Sequence, residues 1–208
     1  MKTRRILAAV IIIGLSLFIY MPVYAIECEE DPGFYNGIIQ QDRTLILYPL
    51  TSQIYDGNLK YAKNVLMESL YVNYDHYGKI RVDRSGILTG WSKSDEYVVW
   101  EAKFIKPGMY RVEVITNNMG ISNEAREKCE MEVILSNNRD NKLRFKLRND
   151  FTYTESRTKH YNTRIGSVCG NMRIDEAGIF KIYLRLTSDL ENRNESIPLV
   201  MLKFNLLP

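Results

Sequence analysis

The chain has 208 residues, 45% of them hydrophobic and 25% charged, which is room for one domain of ordinary size. Its formal charge is +3, with a sequence pI near 8.6. Lys2, Arg4 and Arg5 account for that whole excess, and the remaining 25 basic and 25 acidic residues cancel, so bulk charge gives no attraction for nucleic acid.

Residues 1–25 read as a secretory signal peptide. A basic start precedes an apolar run from Ile6 to Val23, broken only by Gly14, Ser16, Tyr20 and Pro22. The run is long enough to serve instead as an uncleaved anchor. Pro22 and the small Ala25 favour cleavage, which predicts a secreted, periplasmic or cell-surface protein with no stable membrane insertion afterwards. Residues 26–44 form an acidic, Pro/Gly-containing N-terminal extension. Residues 45–208 form the domain.

Strand patterns start at Leu45 and Leu47 and continue to Ile54, before the turn Asp56-Gly57-Asn58. Residues 59–73 are ambiguous: Ala62, Leu66, Met67 and Leu70 suit a short helix. Ile80 and Val82 mark a short strand. From Tyr97 the alternation is strict. Val98, Trp100, Ala102 and Phe104 point one way, and Tyr97, Val99, Glu101 and Lys103 the other, the period of a half-buried strand. Pro107-Gly108 is a turn signal. Tyr110, Val112 and Val114 then alternate along a second strand, so residues 97–114 read as a β-hairpin.

Residues 116–129 read as a polar loop. Met131, Val133 and Leu135 share a face, as do Leu143, Phe145 and Leu147. Asn149 to Lys159 reads as a polar loop, and Ile165 to Ile174 as a strand broken around Gly166 and Gly170. After the turn at 175–178, Phe180, Ile182, Leu184 and Leu186 alternate with Lys181, Tyr183 and Arg185. In the last strand Val200, Leu202 and Phe204 face one way. Seven or eight short alternating strands with frequent turns predict an all-β fold, an antiparallel β-sandwich.

Three cysteines, Cys28, Cys129 and Cys169, follow the signal. In an oxidising compartment a pair of them bridges or all three stay free. Cys129 and Cys169 both lie in the body of the domain, so a Cys129–Cys169 disulfide is the favoured pairing. Their spacing does not suit zinc. His76 and His160 each lack a second ligand at metal spacing. Nucleophile elbows, phosphate-cradling glycine loops and zincin motifs are absent from the sequence. The expectation is a protein that is not an enzyme and uses no metal or cofactor. Lys142, Arg144, Lys146 and Arg148 line one face of one strand. They read as a solvent face paired with acids such as Glu130 and Glu132, with an acidic polymer as the alternative ligand.

Four segments carry a resemblance. YPLTSQIYDGNLKY, LTGWSKSDEYVVWEAKFIKPGMYRVEV, YNTRIGSVCGNMRIDEAGIFKIYLRL and the closing LKFNLLP resemble a galactose-binding-like β-jelly roll. The pattern is similar to the C-terminal β-sandwich domains of bacterial α-L-fucosidases and, more distantly, to family-six carbohydrate-binding modules. The catalytic barrel of the fucosidases is missing, so the resemblance implies binding without hydrolysis. It implies a sugar held at one end of the sandwich between Trp91 and Tyr161, with Asn194 or its neighbour Asn192 hydrogen-bonding hydroxyls. Aromatic faces suit the C–H face of a pyranose, and an amide both donates and accepts. Trp91 has an alternative role as a plug over the core. The expected function is a secreted, non-catalytic carbohydrate-binding module. The alternatives are a structural or protein-interaction module of the cell envelope and, more remotely, a hydrolase built on two converging carboxylates.

Overall fold

A computed structural model describes residues 37–56, 59–62, 80–136, 141–153, 163–192 and 194–208. The signal segment, Cys28, His76, His160 and Tyr161 lie outside the described residues, as does most of the ambiguous stretch after Ala62.

The elements in chain order are β1 (Ile38–Ile39), β2 (Thr44–Leu47), a 3-10 turn (Pro49–Thr51), β3 (Gln53–Asp56), β4 (Leu59–Ala62), β5 (Arg81–Val82), β6 (Leu88–Thr89), β7 (Tyr97–Phe104), β8 (Gly108–Asn117), helix α1 (Asn123–Lys128), β9 (Glu130–Leu135), β10 (Lys142–Lys146), β11 (Phe151–Tyr153), β12 (Arg164–Ile174), β13 (Gly178–Leu186) and β14 (Leu199–Leu206). They form two seven-stranded sheets. Sheet A runs β10-β9-β13-β7-β3-β4, with β1 beside β7; sheet B runs β11-β12-β8-β14-β6-β5, with β2 beside β14. Apart from the parallel β1–β7 pair, the named pairings are antiparallel, and the fold is the expected β-sandwich of jelly-roll class. Ile38–Ile39, inside the stretch read as an extension, therefore already joins a sheet.

The expected hairpin at 97–114 is not one. β7 lies in sheet A and β8 in sheet B, so the chain arches from one layer to the other. In a hairpin the apolar faces of both strands would lie on one side of one sheet. In an arch they meet across the interior, which is how Trp100 and Phe104 come to share the core with Tyr110 and Val112. Gly108 makes the arch possible. Its φ of +147° is one that L side chains rarely adopt, and a Cβ there would sit 2.6 Å from Leu206 Cδ1. β12 and β13 form a second arch around residues 175–177. The two nest, β7 against β13 and β8 against β12, with Gly178 opposite Phe104 and Ile174 opposite Gly108.

The core beside the arches is aromatic. Phe104 makes edge contacts with Tyr110, Phe180 and Phe204 at centroid distances of 5.1, 5.5 and 5.4 Å. Gln40 seals this end. Its buried Oε1 accepts the backbone N–H groups of Ile105 (3.0 Å) and Lys106 (3.3 Å), and lies 2.9 Å from the Tyr110 hydroxyl. Trp100 is core, as its alternation predicts, with Nε1 donating to Tyr48 O at 2.8 Å.

The remaining departures are local, and one is that Phe151–Tyr153 pairs with β12 as a strand where a polar loop was expected. Residues 123–128 are helical where a loop was expected. Ser122 caps the helix by accepting the Ala125 N–H, Glu124 lies in the first turn, and Arg126 and Lys128 lie in the last. Val200 leaves the main core because the register shifts between Leu199 and Met201, and it joins a second apolar cluster with Ile87, Ile115 and Met201. Cys129 and Cys169 are free thiols rather than a disulfide. Cys129 caps the C-terminus of α1 just before β9, while Cys169 is the extra residue at the β12 irregularity in sheet B.

Candidate functional site

At the end opposite the arches, the loops before β7, after β8 and between β13 and β14 come together. Trp91 is there, but it is fully buried and belongs to the core. Its Nε1 donates to Glu96 O (3.1 Å), and its own carbonyl accepts the Ile197 N–H (2.8 Å). Glu96, itself buried, folds the loop back by accepting the N–H groups of Ser92 (3.1 Å) and Lys93 (3.0 Å). Burial pushes the Glu96 carboxyl above its ordinary value, against the pull of those two N–H donors. Asp189 from the β13–β14 loop accepts both the N–H and hydroxyl of Ser94 at 2.7 Å, and the Leu190 N–H donates to Ser92 O. The expectation that Trp91 offers an open ring to a sugar is therefore corrected: the loop closes over the ring, and Trp91 is the plug.

Asn194 is exposed nearby, with its N–H donated to Asn192 Oδ1 at 3.1 Å. A cleft of about 220 Å³ lies between α1 and this loop, and Asn192 rather than Asn194 lines it. Its charged walls are Glu124, Lys128, Asp189, Glu191 and Glu195. Lys128 bridges Glu124 (3.0 Å) and Glu191 (3.3 Å), which raises the affinity of its amine for the proton. The two Ser94 bonds hold the Asp189 carboxyl below its ordinary value. Asp189 is thus held ionised and engaged, the opposite of a proton-donating acid paired with a base.

The outer face of sheet A is different. Alternation leaves Tyr97 of β7 and Tyr183 of β13 pointing away from the core, and register places Tyr55 of β3 directly across from Tyr97. All three are half-buried. Tyr55 and Tyr97 stack with centroids 4.6 Å apart and planes 7° from parallel, and Tyr183 follows at 6.4 Å and 42°. Burial, then the neighbouring tyrosines, raise the Tyr97 phenol above its ordinary value, so it remains a neutral donor and acceptor. The same row continues across the sheet. Tyr97 is opposite Arg185, Arg185 opposite Glu132, and Glu132 opposite Arg144. Glu132 is buried, bonded to Arg185 and 3.8 Å from Arg144 Nη2. Lys146 lies across from Glu130 in register, but of the basic row it is Arg144 that comes within ion-pair distance of an acid of β9 among the described residues.

Sequence alternation already places Tyr97 and Tyr183 outward. What it lacks is the strand order: 86 residues of chain separate two rings that the β7–β13 pairing makes neighbours. The cysteines have no reactive part here. Burial pushes the Cys129 thiol up to about 12 and the Cys169 thiol well above its ordinary value, so neither is a ready nucleophile. Among the described residues no group of three or more His, Cys, Asp or Glu is placed to hold a metal ion, and no helix is long and apolar enough to cross a membrane.

No family model matches the chain, and no curated protein matches it. Solved structures give distant likenesses that include carbohydrate-active enzymes. An α-L-fucosidase from Vibrio sp. strain EJY3 is 14% identical with a TM-score of 0.42, over 78% of this chain and 36% of that one. A GH26-CBM35 β-(1,4)-mannanase from Podospora anserina is 9% identical with a TM-score of 0.40, over 81% of this chain and 28% of that one. The mosquito-larvicidal Cry4Aa toxin from Bacillus thuringiensis is also 9% identical, with a TM-score of 0.42, over 62% of this chain and 21% of that one. Likenesses this distant carry no argument about a ligand.

Proposed function

We propose that this chain is an exported, non-catalytic module that binds carbohydrate on the outer face of sheet A. The observation that carries this reading is the row Tyr55, Tyr97 and Tyr183 on three adjacent strands, half-exposed and flanked by Arg185, Gln53 and Lys181. Aromatic surface takes the C–H face of a sugar, and the flanking groups and phenols supply donors and acceptors for its hydroxyls. A site on strands is also more rigid than one on loops. The non-catalytic part is supported by how the chain employs its reactive groups. Glu96 holds a loop, Glu132 is neutralised by arginines, and both described thiols are buried. Export rests on residues 1–25.

A glycan array followed by calorimetry on the full chain tests this. Tyr97→Ala and Tyr183→Ala are expected to weaken polysaccharide binding at least tenfold with the folded state intact. A second reading, a protein-interaction module of the cell envelope, is favoured by the buried Trp91, since the loop-end sugar site is closed. An array with no signal from a folded chain would leave that second reading standing.

A further inference from the structure

Among the described residues, the most deeply buried acid and the buried base are treated unequally. Glu132 has two arginines. Arg126, on α1, is 1% exposed and makes no ion pair among the described residues. One Nη donates to the Thr116 hydroxyl and the other to Asn117 O, both neutral acceptors, and Nε is buried with no partner. A buried guanidinium ordinarily has a counter-ion, because neutral acceptors do not repay its lost hydration.

The place for one is adjacent. Arg126 lines a cleft of about 420 Å³ between α1 and the chain that follows β10. Lys146 and Arg148 stand on its rim, both exposed and neither in an ion pair among the described residues. Asn149 ties the rim to the helix, with Nδ2 donating to Asn123 Oδ1 at 3.2 Å. Two acids also line it. Asp150 is engaged, its Oδ2 accepting the Val168 N–H at 2.7 Å, and Glu127 is exposed to solvent. The balance at the wall is three cations, one of them deeply buried with a free donor, against one engaged and one solvated carboxylate.

We propose that the cleft lined by Arg126, Lys146 and Arg148 is a binding site for an oxyanion, a carboxylate, sulfate or phosphate group carried by the ligand. Arg126 supplies the geometrically fixed donor from within, held by Thr116 and Asn117. Lys146 and Arg148 supply charge from the rim. The site is separate from the tyrosine row, so it stands whether or not that row binds sugar.

The test is a titration of the full chain, isotopically labelled, with inorganic sulfate, inorganic phosphate and glucuronate in turn, against sodium chloride at equal ionic strength. The readout is the Arg126 Nε–H resonance, which nonspecific surface binding would not move. The expected result is a saturable shift with at least one oxyanion and none with chloride. The anion that binds most tightly identifies the group as a sulfate ester, a phosphate ester or a uronic acid. Lys146→Ala/Arg148→Ala, a change confined to exposed side chains, is expected to weaken that binding at least tenfold. Arg126→Gln should abolish it, and the double variant keeps the test decisive if Arg126→Gln does not fold. An unmoved resonance with all three oxyanions, an equal shift with chloride, or unchanged affinity in the double variant would overturn the proposal and leave Arg126 a strut between α1 and β8.

Discussion

Trp91 and Tyr97 lie six residues apart and have opposite fates. Trp91 is in a loop rich in Gly, Ser, Lys and Asp, surroundings that suggest exposure, yet it is sealed. Tyr97 opens a strand rich in aliphatic residues and stands on its outer face, where alternation places it, stacked on Tyr55. A polar loop closes over an apolar ring when its own polar groups satisfy one another, as Glu96, Ser92 and Lys93 do here. On a strand, parity decides instead, and no neighbouring residue can pull Tyr97 inward without turning Val98 out.

The sharpest test of this contrast is Trp91→Ala. It removes the plug and strands the Glu96 carbonyl, and should cost about 3–5 kcal/mol in chemical denaturation, the range for a large aromatic deleted from a core. A loss under about 1 kcal/mol, the size expected at an exposed site, would return Trp91 to the surface. Tyr97→Ala should do the reverse, costing stability no more than about 1 kcal/mol as a cross-strand pair while carrying the tenfold loss in binding. If Tyr97→Ala unfolds the chain, the tyrosine row is scaffold.

The thiols give a smaller and cleaner reading. Reductant should leave the thermal midpoint unmoved, and iodoacetamide at pH 8 should spare Cys129 and Cys169 until denaturant is added, because both thiols are buried and hard to ionise. A fall in the midpoint with reductant would instead show that a bridge forms among the three cysteines.

The smallest effect is on pH. Glu96 has a folded value raised above the ordinary 4.5 by burial. Its contribution is full when the acid is protonated in both states, and is lost as pH rises through the raised value and the fold must hold a carboxylate. Stability contributed by this residue therefore declines over a window that opens near the ordinary 4.5 and extends up through the raised value, opposite in sign to ordinary acid denaturation. Glu96→Gln should flatten that decline in urea midpoints measured across the window. Identical slopes for both proteins would mean that the Ser92 and Lys93 donors fully offset burial.

What the sequence determined by itself is parity and class. Val98, Trp100, Ala102 and Phe104 face inward as their alternation requires, and Lys142, Arg144 and Lys146 face outward beside β9, because a strand fixes its two faces locally. Signals for α1 were also present, in the Ser122 cap and the charge order of residues 124–128, inside a segment whose polarity suggested a loop. The tertiary structure alone decided everything that depends on which strand lies beside which. It turned the hairpin at Pro107 into an arch, because an arch buries both apolar faces against each other where a hairpin would leave them on one side of a sheet. It placed Cys129 at the end of α1 and Cys169 within β12, as free thiols. It closed the loop over Trp91 through bonds from Leu190 and Ile197, about a hundred residues away. And it assembled Tyr55, Tyr97 and Tyr183 into one row, since register between distant strands is set by the packing of the whole core and is written in no single segment.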